Sequence, residues 1–97
     1  MNLTGDQRLL SELMSEISEE CFCAGWIIDL EYTLWTVVTN PTARRQFGME
    51  ELSAHQIAQL KSLSESIGGW IMWDDPVGEV FVPMREWLTI YDKAVAA

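Results

Sequence analysis

The sequence predicts a small α+β domain: about four helices with one two-stranded antiparallel β-hairpin, residues 69–83, before the C-terminal helix. Three observations carry this expectation. Apolar residues recur at three- and four-residue intervals through residues 10–24, 27–38 and 57–67. Alternation by twos replaces that period in GGWIMWDDPVGEVFVP, residues 68–83. A chain of 97 residues is long enough for one core and too short for two, so residues 1–97 read as a single domain.

Taken in order, Thr4 and Gln7 fit a capping box, and Asp6 falls in the first turn, where the helix dipole favours an acid. Leu10, Leu13, Met14, Ile17, Cys21 and Ala24 then form one stripe, which predicts a helix from residue 5 into the low twenties. Gly25 is the breaker that follows. A helix continuing to Thr39 would be roughly 50 Å long, too long for a domain of this size. In WIIDLEYTLWTVV, residues 26–38, Ile27, Leu30, Leu34, Trp35 and Val38 keep helical spacing, while Ile28, Tyr32 and Val37 widen the apolar surface. A helix apolar over so much of its circumference belongs at the centre of a fold. The β-branched content at residues 36–39 leaves a strand as the alternative there, and Asn40-Pro41 ends the element.

PTARRQFGMEEL, residues 41–52, reads as a connection and holds the adjacent cations Arg44 and Arg45. Ser53 with Gln56 is a second capping-box pattern, and Ile57, Leu60, Leu63 (or Ser64) and Ile67 supply the next helical stripe. Gly68-Gly69 suits a helix stop. The hairpin turns through residues 75–78, and Pro83 suits the first position of a last helix whose inner face is Met84, Trp87, Leu88, Tyr91 and Val95. Both faces of the ribbon carry large apolar groups: Trp70 and Met72 point one way along the first strand and Ile71 and Trp73 the other, while Val80 and Val82 alternate with Glu79 and Phe81 across the turn. Helices cover one face. The second is covered either by the closing helix or by a partner or second copy whose surface includes Trp70, Trp73 or Phe81.

Charge narrows the function classes. Six Lys and Arg stand against fifteen Asp and Glu, for a formal net charge of −9. Direct nucleic-acid binding needs cations against phosphates, so this balance disfavours it. An acidic surface suits a basic protein partner, or simply keeps a protein in solution. No apolar run approaches the roughly 18–20 residues of a membrane span. MNLTGDQRLL lacks the basic-then-apolar pattern of a secretory signal, and Cys21 and Cys23 are poorly spaced for a disulfide, so a cytoplasmic location is expected.

The sharpest local feature is Glu12, Glu16, Glu19 and Glu20 on the first helix. Glu12–Glu16 and Glu16–Glu20 are like charges four apart, which destabilise a helix by a few tenths of a kcal/mol per pair. With Asp6, Asp29 and Glu31, residues 1–35 hold seven acids against the single base Arg8. A solvated face explains this plainly. Carboxylates one helical turn apart, about 5.4 Å, also approximate successive phosphates of a nucleic-acid strand. Catalysis finds little support: His55 is the only histidine, and no nucleophile motif accompanies it. Cys21, Cys23 and His55 fall short of a tetrahedral zinc set. Asp74, Asp75 and Glu79 lack the ligand count and glycine spacing of a calcium loop. No catalytic residue, metal ligand or cofactor is assigned, and a non-enzyme is expected.

The stretches CFCAGW, DLEYTLW, GGWIMWDD and EVFVPMREWL resemble small bacterial and prophage proteins without assigned enzymatic activity. Size, acidity and phage association are similar in kind to the anti-CRISPR proteins that phages use against type I surveillance complexes. That resemblance implies a non-enzymatic, phage-encoded inhibitor in the host bacterial cytoplasm. It would bind a Cascade-type ribonucleoprotein at the basic surface that holds DNA. Anti-CRISPR families share no motif, so no functional residue is carried over from them. The contact residues expected from charge and aromatic content are Glu12, Glu16, Glu19, Glu20, Asp29, Glu31, Trp70, Trp73, Asp74 and Asp75. The chain is expected as a monomer or homodimer, with neither membrane nor nucleic acid as a direct partner. The second reading is an interaction module that dimerises, or binds a partner, through the tryptophan-rich hairpin.

Overall fold

Helix α1 (Gly5–Cys21) starts where Thr4 donates its backbone N–H to Gln7 Oε1 at 3.1 Å, one half of the expected capping box. The computed structural model describes residues 3–21, 30–74 and 77–96. Asp29, Asp75 and Cys23 lie outside the described residues, as do the side chains of Glu20 and Cys21. Leu10, Met14 and Ile17 are fully buried, which fixes the inner face of α1 and turns the remaining arc outward.

Helix α2 (Leu30–Thr39) is the central element, with Leu34, Trp35, Val37 and Val38 all buried. The tetrapeptide of α3 (Ala43–Gln46) is a helical turn within the stretch expected to be a plain connection, so the described residues contain five helices. Its sequence, Ala-Arg-Arg-Gln, is rich in good helix formers, and Ala43 is anchored in the core at 1% exposure. Arg44 Nη1 donates to the Leu52 carbonyl at 2.6 Å and ties α3 to the segment that follows.

Helix α4 (Ala54–Ile67) has a complete capping box. Ser53 Oγ accepts from the Gln56 N–H, and Gln56 Oε1 accepts from the Ser53 N–H. It stops at Gly68, whose left-handed φ of 70° costs glycine nothing. Gly69 is glycine for another reason. A Cβ there would lie 2.1 Å from the Val82 carbonyl oxygen and 2.7 Å from the Phe81 ring. Two hydrogen bonds lock this corner: Ser64 Oγ donates to the Gly69 carbonyl at 2.6 Å, and the Met84 N–H donates to the Gly68 carbonyl at 2.9 Å.

Strands β1 (Gly69–Asp74) and β2 (Gly78–Pro83) pair antiparallel, with Trp70 opposite Val82, Met72 opposite Val80 and Trp73 opposite Glu79. On one face, Trp70 meets Trp35 of α2 edge-on at 5.1 Å and Trp87 of the last helix, α5 (Met84–Ala96), at 6.2 Å. Tyr32 and Tyr91 complete this aromatic cluster around Trp87. Ile71, on the opposite face, is also fully buried, and β1 is contacted by α1, α2, α4 and α5. The chain itself therefore buries Trp70 on one face and Ile71 on the other, while on the Ile71 face Trp73 and Phe81 are half-buried and Glu79 is exposed.

One expected face needs correction. Leu88 is 41% exposed and Val95 59% exposed, so neither belongs to the inner side of α5. The helix leans on the core along a line centred at the fully buried Trp87, with Met84, Ile90 and Tyr91 half-buried beside it. At about 100° per residue, Leu88 points well away from that line. Among the described residues, no helix is long and apolar enough to cross a membrane.

Candidate partner-binding face

Because Leu10, Met14 and Ile17 point inward, Glu12, Glu16 and Glu19 are exposed on the outer arc of α1. Glu12 and Glu16 stand one turn apart and form a wall between two surface depressions. Toward α4 lies a cleft of about 410 Å³, lined by Leu9, Leu13 and Leu63 with Gln59 and Ser62. Toward the hairpin lies a more polar hollow of about 350 Å³, where Arg8, Ser11 and Ser15 meet Glu79 of β2. Glu12 and Glu16 line both.

Glu79 is the member that sequence reasoning assigned elsewhere, to the turn beside Asp74 and Asp75. The period of two puts it on one face with Phe81, but not beside α1, because that neighbourhood depends on how the ribbon docks. Asp74 is exposed at the end of β1 and lines neither depression.

The acidic wall is not closed off by ion pairs: among the described residues, none is formed by Glu12, Glu16 or Glu19. Arg8 borders the hairpin-side hollow. The cations that could have folded over α1 sit elsewhere: Arg44 and Arg45 border a hollow with Pro41 and Glu50, and Lys61 shares a groove with Val38, Ile57 and Arg44.

Two expected contact residues are interior groups. Glu31 is 6% exposed; its Oε2 accepts from the Trp73 N–H at 3.1 Å, and its carbonyl accepts from Trp70 Nε1 at 3.0 Å. Trp70 is fully buried. Neither can belong to a contact surface of the folded chain, because both are consumed in joining α2 to β1. Trp73 is half-buried and Asp74 exposed. Glu20, Asp29 and Asp75 fall outside the side chains described.

His55 is exposed in the first turn of α4. Among the described residues, no three His, Cys, Asp or Glu side chains gather into a group that could hold a metal ion. Comparison with protein-family models, with curated proteins and with solved structures returns no match.

Proposed function

We propose that this chain is a non-enzymatic binding protein that presents the acidic face of α1 to a basic protein surface built to hold nucleic acid. A type I CRISPR surveillance complex of the Cascade kind is the target implied by the resemblance to phage inhibitors. One observation carries the reading: Glu12 and Glu16 are exposed, free of ion pairs among the described residues, and set one turn apart on a wall with open surface on both sides. Like charges at that spacing destabilise the helix slightly, and a cationic partner reverses the sign of their contribution. The hairpin-centred alternative loses Trp70 to the core and keeps Trp73 and Phe81 only as half-buried groups.

The test is competition. A purified Cascade-type complex saturated with this protein should fail to bind its target duplex, and prebound duplex should exclude the protein in turn. A stable ternary assembly of complex, duplex and protein would contradict the proposal.

A further inference from the structure

We infer that the α1–α4 cleft receives an apolar side chain from a lysine- or arginine-rich protein segment, so that the partner is read by an apolar anchor as well as by charge. This rests on the proposed binding role of the α1 face and specifies the chemistry of its occupant. Leu9 is 52% exposed at the cleft mouth, although it lies beside the fully buried Leu10. Leu13 and Leu63, half-buried, form the floor. The wall away from α4 consists of Glu12 and Glu16, and no cation lines the cleft. An apolar floor beside a carboxylate wall complements a segment with an aliphatic or aromatic residue flanked by cations, as an amphipathic basic helix offers. Other occupants fit poorly. Anionic lipid headgroups are repelled by the wall, and a second copy brings a net charge of −9 to an acidic face.

The experiment uses the full chain and two labelled synthetic peptides of equal length and equal positive charge. One carries lysine and leucine at helical spacing; in the other, serine replaces every leucine. Fluorescence anisotropy gives affinities, and amide shifts in NMR locate the contact. The leucine peptide should bind about tenfold tighter, the effect of burying one aliphatic side chain, and should shift amides of residues 9–16 and 59–63. Leu9→Ser, at an exposed position that leaves the fold intact, should remove that advantage while leaving the serine peptide unaffected. Glu12→Gln with Glu16→Gln should weaken both peptides. Equal affinities for the two peptides, or a Leu9→Ser variant that binds like wild type, would overturn the cleft. The acidic face still stands in that case if the Glu→Gln pair weakens both peptides. No binding by either peptide, or binding indifferent to the Glu→Gln pair, would overturn both.

Discussion

The Glu31 carboxylate accepts a hydrogen bond from the backbone N–H of Trp73, across 42 positions in the sequence. With the bond from Trp70 Nε1 to the Glu31 carbonyl, it clamps the first turn of α2 to β1. An acid that composition assigns to the charged surface is thus an interior strut, and its behaviour should separate from that of the α1 carboxylates.

Truncation shows the difference. Glu31→Ala leaves the Trp73 N–H without its acceptor and should lower unfolding free energy by about 1–3 kcal/mol. Glu31→Gln keeps an acceptor oxygen and should cost less than half as much. Glu12→Gln should leave stability unchanged or raise it by a few tenths of a kcal/mol, since it relieves the repulsion with Glu16. Urea denaturation of the three variants gives the comparison directly.

The two adjacent glycines should respond differently to alanine. At Gly68 there is open space but a left-handed backbone, so Gly68→Ala should cost about 1 kcal/mol. At Gly69 a Cβ meets the Val82 carbonyl at 2.1 Å, and the obstacle is backbone, which cannot step aside without breaking strand pairing. Gly69→Ala should cost about 3 kcal/mol or more. Thermal melts followed by circular dichroism suffice to rank them.

Within the aromatic cluster, Trp70 and Trp87 are both fully buried, but their indole N–H groups differ. Trp70 Nε1 donates to Glu31, whereas Trp87 Nε1 is buried with no hydrogen-bond partner among the described residues. Trp70→Phe should therefore cost about 1 kcal/mol more than Trp87→Phe, because only the first gives up a buried hydrogen bond. Chemical denaturation of the two variants checks this, and equal losses would contradict it.

Much of the architecture was legible because its signals are local. The capping box at Ser53–Gln56, the glycine stop at Gly68 and the alternation through residues 69–83 each specify backbone within a few residues, and the helix and strands formed there accordingly. The inward stripe of Leu10, Met14 and Ile17 likewise followed from period alone. What sequence could not supply was the identity of neighbours. Glu31 looked like one more surface acid because its partner is 42 positions away. Leu88 and Val95 looked interior because spacing gives a stripe but not its width. Leu9, one place from the stripe, became the lip of a cleft only through the approach of α4, and Glu79 came to face the hollow beside the acidic wall only through the docking of the hairpin.

The most direct measurement is the affinity of a purified Cascade-type complex for wild type and for the Glu12→Lys, Glu16→Lys, Glu19→Lys variant, at low and physiological salt. If the α1 face is the contact, the variant loses on the order of a hundredfold in affinity at low salt, and wild-type binding weakens as salt rises. A folded variant that binds as tightly as wild type at both salt concentrations would contradict the assignment of this face.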